Sequence, residues 1–324
     1  MGICAVVMAA GEGKRMNSKR CKFVHKTAGK PIISWVKQAL FEVGADEQVY
    51  IVGPFHDQVR KVLGEDVAFV LQDKQLGTGH AVSKASPFLE GRLGTTLVIR
   101  GDTPLITSKT LKSVLDYFKR GKYSAVVISA DTNESTGYGK ILRDENGDVK
   151  KIVQNGNGNS SYFGKNTVRE RSGLFEGNSS MYCFDTALLV SALGRVSSNK
   201  NSGEFCLTDA INLLIQDGRR VGAYKAPAEE TIGVHDKFQL MQVSKLLNRR
   251  ICKTHMMNGV TITDPDSIWI EASVKIGQDA EILPNTILEG NTVIGEDAVI
   301  GPDTRISNSY ISEDTIIFNS IVYV

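Results

Sequence analysis

Seven aliphatic residues stand six positions apart near the C-terminus: Ile270, Ile276, Ile282, Leu288, Ile294, Ile300 and Ile306. No α-helix and no flat β-meander keeps a strict six-residue period. A β-helix does, if each hexad forms one flat side and its aliphatic residue fills the axis. Two positions earlier lie Ile268, Val274, Ala280, Thr286, Thr292 and Ala298, mostly small or β-branched, which suits a crowded corner. Gly277, Gly295 and Gly301 directly follow the axial residue. After Ile306 the spacing slips to Ile311, Ile316 or Ile317, and Ile321, so the last coil is expected to be irregular or to act as a cap. Stacked coils bury their faces on one another, and an open end favours capping or assembly.

The rest of the chain follows another rule. Residues 3–225 alternate short apolar runs with amphipathic stretches. The expected strands are 3–9, 47–52, 67–71, 96–100, 123–130 and 221–225. The expected helices are 31–43, 55–64, 78–86, 108–120, 185–194 and 207–217. Pro31 suits a first helical turn, and Thr208-Asp209 suit a helix start. This alternation predicts an α/β domain with a mostly parallel sheet and helices on both faces. Residues 154–179, rich in Asn, Gly and Ser, read as a long irregular connection. Between 236 and 257, Phe238, Leu240, Met241, Val243, Leu246, Leu247 and Ile251 recur at helical spacing, which gives a linking helix. Three regions are therefore expected: 1–235, 236–260 and 261–324.

The first strand, Ala5-Val6-Val7-Met8-Ala9-Ala10, runs into Gly11-Glu12-Gly13-Lys14-Arg15-Met16, with Lys22 behind it. A buried strand ending in a glycine turn offers backbone N–H groups to an anion, and Arg15 and Lys22 add charge there. The loop excludes two phosphate-binding patterns. A P-loop needs Gly-Lys-Ser/Thr, whereas Gly13-Lys14 is followed by Arg15. A dinucleotide fingerprint needs a third glycine where Met16 stands.

Composition narrows the partners. A net charge of +2 with no basic block argues against nucleic acid. The apolar runs are too short to span a membrane, and no signal-peptide pattern opens the sequence. The five cysteines are scattered and lack Cys-x-x-Cys spacing, so reduced thiols in a cytoplasm are expected and zinc is not.

The loop with Lys22, then Leu76-Gly77-Thr78-Gly79-His80-Ala81, Gly101-Asp102-Thr103-Pro104-Leu105 and Thr136-Gly137-Tyr138-Gly139, resembles the sugar-1-phosphate nucleotidyltransferases. The resemblance is greatest to the uridyltransferase part of the bifunctional N-acetylglucosamine-1-phosphate uridyltransferase/glucosamine-1-phosphate acetyltransferases, and it covers essentially the whole chain. It implies a Rossmann-like domain followed by a left-handed β-helix. It also implies a reaction: UTP and N-acetylglucosamine 1-phosphate give UDP-N-acetylglucosamine and pyrophosphate, with Mg²⁺. Chemistry of this kind needs positioning and charge neutralisation more than a protein nucleophile.

By the same resemblance, Ala9, Ala10, Gly11 and Gly13 wrap the nucleotide. Arg15 holds the triphosphate and Lys22 neutralises the α-phosphate. Gln72, Gly77 and Thr78 read uracil, and Asp102 binds the metal. Gly139, Asn178 and Thr208 line the sugar. Plainer readings exist: Lys22 as a solvated lysine, Asp102 as a turn cap before Pro104, Thr208 as an N-cap, and Gln72 as a surface amide. His25 and His80 receive no chemistry.

Four departures from the family pattern stand out. His235, followed by Asp236, occupies the place of the second metal ligand, usually asparagine. Imidazole suits Mg²⁺ poorly, so Asp236 is the expected substitute, or the ion rests on Asp102, phosphate and water, or Mn²⁺ takes its place. Gln154 replaces the sugar-binding glutamate. Cys206 and Arg100 replace tyrosines. The basic and histidine residues of the family's acetyltransferase site have no counterpart in residues 270–324, so no acetyl transfer is expected. Assembly as a homotrimer through the β-helix is compatible with the resemblance. Another hexose 1-phosphate, dTTP, or a regulatory subunit of the same fold are the alternatives.

Overall fold

The computed structural model describes residues 2–133, 138–153, 173–199 and 203–323. The chain divides into two units, residues 1–24 with 33–233, and residues 25–32 with 234–324.

The strands up to residue 225, in chain order, are β1 (Gly2–Ala9), β2 (Lys26–Thr27), β3 (Lys30–Pro31), β4 (Glu47–Val52), β5 (Ala68–Leu71), β6 (Gly94–Arg100), β7 (Ala125–Thr132), β8 (Gly139–Arg143), β9 (Val149–Val153), β10 (Phe175–Asp185) and β11 (Val221–Lys225). The helices are α1 (Ile32–Glu42), α2 (His56–Leu63), α3 (Thr78–Ser83), α4 (Ser86–Leu89), α5 (Ser108–Gly121), α6 (Thr186–Leu193), α7 (Leu207–Gln216) and α8 (Lys237–Met257).

In the first unit the strand order is β11-β7-β10-β6-β1-β4-β5, and β8 and β9 continue from β10. β1 lies parallel to β4 and β6 at the centre. Its side chains alternate between two cores. Cys4 and Val6 join α3, α4, α6 and α7 on one face. Ala5, Val7 and Ala9 join α1, α2 and α5 on the other. Burial on both faces explains why β1 reads as an unbroken apolar run.

β10 is antiparallel to both β6 and β7, and β8 and β9 pair antiparallel to each other. None of these three was expected from the sequence. β8 and β9 carry lysine and arginine, and their charged faces hide the alternation. β10 starts within the stretch read as irregular. Its Gly177, Asn178, Ser179 and Ser180 look like loop residues, yet the first three are buried in the sheet, where their polar groups find partners. Ser179 Oγ donates to Ile128 O at 2.7 Å. A bulge between Asn178 and Met181 places Ser180 at φ 63°. Two helix expectations also shift. The single helix over 78–86 is two, because Pro87 opens a separate short turn as α4. Pro31 lies in β3, just outside α1 rather than in its first turn.

The second unit is a hexapeptide-type left-handed parallel β-helix preceded by α8. Asp236 caps α8, its carboxylate accepting from Gln239 N at 2.7 Å. Asn248 of α8 is buried and clamps the first coil: its amide donates to Ile268 O at 2.7 Å, and its carbonyl accepts from Ile270 N at 2.9 Å. Three columns of short strands stack in parallel. Lys275 pairs with Val293, Glu281 with Val299, and Ile287 with Arg305. Ile270, Ile282, Leu288, Ile294, Ile300 and Ile306 lie fully inside, as the six-residue period requires. The small residues Ala280, Thr286, Thr292 and Ala298 are buried at the corners.

The sequence pattern does not reveal how the corners turn. Asp279, Asn285, Asp297, Asp303, Asn308, Asp314 and Asn319, each just before a corner residue, adopt positive φ, a conformation short polar side chains tolerate. The late slip is real. Val293 pairs with Tyr310, one residue short of the earlier coil length. Ile317 and Val322 point inward there, while Ile316 and Ile321 are exposed, so Val322 takes the axial place expected of Ile321.

Candidate active site

The carboxyl ends of the parallel strands β1, β4 and β6 open where an α/β sheet receives ligands. β1 ends at Ala9, which is buried like Ala10, and the chain then turns through Gly11 and Gly13 into a 3-10 turn over Lys14–Met16. Gly13 has φ 68°, and a Cβ there would stand 2.8 Å from Lys22 Cβ. The loop is thus moulded on the lysine stem, with only glycine able to pass it. Lys22 is buried, so the solvated reading fails. Its Nζ forms an ion pair with Asp102 Oδ2.

Asp102 follows the end of β6 and is also buried. Its Oδ1 accepts from Arg100 Nε at 3.0 Å. One carboxylate is therefore shared by two cations. Arg100 reaches Ser179 O at 3.4 Å as well. Burial works against the Arg100 charge, but Asp102 and the hydrogen-bonded Tyr138 outweigh it and hold the guanidinium above its ordinary pKa. The turn after β6 is also fastened by Thr103, whose Oγ1 donates to Arg100 O at 2.7 Å.

A second group of residues meets the loop from the side. Gln75 Nε2 donates to Ala10 O at 2.6 Å. Gln72 is buried, and its amide donates to Gly77 O at 3.2 Å and to His80 Nδ1 at 3.0 Å. His80, given no chemistry from the sequence, orients that amide. Gly77 has φ 100°, and a Cβ there would lie 2.5 Å from Phe205 O. The close approach is needed because Phe205 N donates to Leu76 O at 2.8 Å and Phe205 O accepts from Gly79 N at 2.7 Å.

Thr78 Oγ1 accepts from Leu207 N at 3.0 Å and so caps α7 from outside. The N-cap position belongs to Cys206, which makes no side-chain cap, and buried Thr208 lies inside the helix. The plain N-cap reading of Thr208 is therefore overturned.

On the far wall, Gly139 of β8 pairs with Asn178 of β10. Asn178 is buried, donating to Tyr182 Oη at 2.9 Å and accepting from Ser180 N at 3.0 Å. Burial raises the Tyr182 pKa above its usual range, and Asn178 and Arg100 only partly offset it. Tyr138 Oη donates to Thr231 O at 2.6 Å. Arg15 stands exposed on the 3-10 turn. Gln154 and the Thr136-Gly137 pair lie outside the described residues. His235 and Asp236 fall in the second unit; there His235 N donates to Gln239 Oε1 at 2.8 Å.

The structure thus brings Gly13, Lys22 and Asp102 together, and it links Gln72, Gly77 and Thr78 to α7. Gln75, Arg100, Tyr138 and Phe205 complete these links, and no role was assigned to them from sequence. Gln75 lies within the Leu-Gly-Thr-Gly approach and Arg100 directly before Gly-Asp, positions where a close look at motif flanks finds them.

Residues 5–194 match the model of the MobA-like NTP transferase domain, and residues 273–308 match that of the bacterial transferase hexapeptide (six repeats). A bifunctional protein GlmU of Acetivibrio thermocellus is 42% identical over 321 residues, covering 99% of this chain and 68% of its own length. That of Caldanaerobacter subterraneus subsp. tengcongensis is 43% identical over 320 residues, with 99% and 68% covered. The chain belongs to the GlmU family. It is a nucleotidyltransferase of that family, with a hexapeptide-repeat region behind the catalytic fold.

GlmU-type transfer uses a divalent cation. Among the described residues no group of three or more His, Cys, Asp or Glu is placed to hold a metal ion. The Asp102 carboxylate meets both Lys22 and Arg100, and each of its oxygens faces a cation. As arranged, this donor set does not form a ready site for a divalent ion. Among the described residues no helix is long and apolar enough to cross a membrane.

Proposed function

We propose that this chain is a uridylyltransferase that makes UDP-N-acetylglucosamine and pyrophosphate from UTP and N-acetylglucosamine 1-phosphate. The observation that carries the reading is the buried Lys22, threaded beneath the Gly11–Gly13 loop and ending at Asp102.

In this reading the phosphates settle over the glycine loop. A phosphate oxygen of the sugar 1-phosphate forms a bond to the α-phosphorus of UTP, and the bond from that phosphorus to the bridging oxygen breaks in line, releasing pyrophosphate. Lys22 Nζ neutralises charge growing on the α-phosphoryl oxygens. Arg15, exposed and long, reaches the departing β- and γ-phosphates. Gln72, its two amide N–H groups held by His80 and Gly77, presents its amide oxygen as an acceptor to the uracil edge, with Gly77 and Thr78 beside it. Ala9 and Ala10 close the nucleotide side. Gly139, Asn178 and Thr208 form the sugar side. Mg²⁺ is the expected cation, with Mn²⁺ able to replace it, resting on Asp102, phosphate oxygens and water. The β-helix serves as the assembly element, with a homotrimer the proposed state.

The test is pyrophosphate release across a panel of nucleoside triphosphates and sugar 1-phosphates, with Mg²⁺ and then Mn²⁺. Release with UTP and N-acetylglucosamine 1-phosphate at least tenfold above other pairs is expected. No release with any pair refutes the enzymatic reading.

A further inference from the structure

Arg100 is unexplained by the functional reading, yet it is among the best anchored side chains at the site. The side chain is 14% exposed and its guanidinium is tied at three points: Asp102 Oδ1, Ser179 O and Tyr138. Lys22, the other cation on Asp102, is differently held. Its Nζ meets Asp102 Oδ2 and lies 4.9 Å from the centre of the Phe23 ring. The same nitrogen is 3.8 Å from where a Cβ on Gly11 would stand, at the surface of the loop that would receive phosphate.

Two cations on one carboxylate leave an excess positive charge in a poorly hydrated place. A divalent cation approaching Asp102 meets that repulsion and must also displace a partner from an oxygen. An incoming triphosphate changes the balance. It offers oxygens to Lys22 Nζ a short movement away, and the triple-anchored Arg100 has no comparable freedom.

We propose that Arg100 guards Asp102 against divalent cations, so that the metal binds there only with the nucleotide, when Lys22 leaves Oδ2 for a phosphate. This inference rests on the functional reading given above, in which Asp102 meets the cation. It assigns to Arg100 a positioning role acting through Asp102 rather than through substrate.

Mn²⁺ binding to the purified full chain, followed by the loss of the free-ion electron paramagnetic resonance signal, tests it. Without nucleotide, the wild type is expected to bind Mn²⁺ weakly. Arg100→Gln should bind it roughly tenfold or more tightly, since one unit charge beside the carboxylate is gone. Arg100→Lys should stay weak. UTP should tighten Mn²⁺ binding to the wild type, and by reciprocity Mn²⁺ should tighten UTP binding by the same factor. The same dependence on UTP should shrink in Arg100→Gln. Tight Mn²⁺ binding to the nucleotide-free wild type overturns the proposal, as does an Arg100→Gln variant that keeps its fold by circular dichroism with unchanged Mn²⁺ affinity. Failure of pyrophosphate release with every substrate pair, alongside a gain of Mn²⁺ affinity in Arg100→Gln, would remove the functional reading and leave the guarding role intact.

Discussion

Replacing Asp102 by asparagine keeps the shape of the side chain and removes the one charge that Lys22 and Arg100 share. Lys22 and Arg100 are only 10% and 14% exposed in their side chains, so water screens little of the repulsion then left between them. The amide oxygen still accepts hydrogen bonds, but it neutralises neither cation. Breaking a buried ion pair by removing one partner costs about 3–5 kcal/mol. A domain of this size loses about 2–4 °C of melting temperature per kcal/mol, so Asp102→Asn should melt roughly 6–20 °C lower. Scanning calorimetry supplies the measurement, following the transition of the unit that holds residues 33–233. The double variant Asp102→Asn/Arg100→Gln sharpens it. Removing one of the stranded cations should restore at least about 1 kcal/mol, because the two sites are in contact and not additive. A fall below about 2 °C in the single variant, or a second substitution that only adds to the loss, would refute the shared-charge account.

Gly13→Ala forces a Cβ against Lys22 in a left-handed backbone and should cut pyrophosphate release at least tenfold, as a steady-state assay with saturating substrates would show. Asn248→Leu strands the buried Ile268 O and Ile270 N, and should destabilise the β-helix unit by about 2–3 kcal/mol in a urea titration. Burial alone would raise the Glu176 pKa, but Arg143 and Ser129 outweigh it and hold the carboxyl below its ordinary 4.5. Its contribution to stability is then complete above that value and is lost as pH falls from there through the lower folded value. Glu176→Gln should accordingly flatten the loss of stability below pH 4.5, and an unaltered acid profile by circular dichroism would contradict the assignment.

The parts legible in the sequence are those where one physical rule governs many residues. Burial on both faces wrote β1 as an apolar run, and axial packing wrote Ile270 to Ile306 at one fixed interval. β10 escaped because its polar residues are satisfied by partners that no local pattern announces: Ser179 by Ile128, and Asn178 by Tyr182. The contributions of Gln75 and Arg100 depend on contacts to Ala10, and to Asp102, Ser179 and Tyr138, which leave no periodic trace. Thr78 shows the limit most clearly. Its motif marks the position, while the bond to Leu207, a long way off along the chain, emerges only in three dimensions.

That bond and its neighbours make one mechanical part out of two distant stretches. Residues 76–79 and 205–207 exchange main-chain hydrogen bonds through Phe205, and the Thr78 hydroxyl locks the start of α7. Three hydrogen bonds thus join the two stretches, and a displacement of one must stretch or break bonds to the other, much as a bolt works against its latch. If the base is read at Gln72 and Thr78 and the sugar at Thr208, occupancy of one half-site stiffens the other. A substitution at Gly77 would then show in the Michaelis constants of both substrates together.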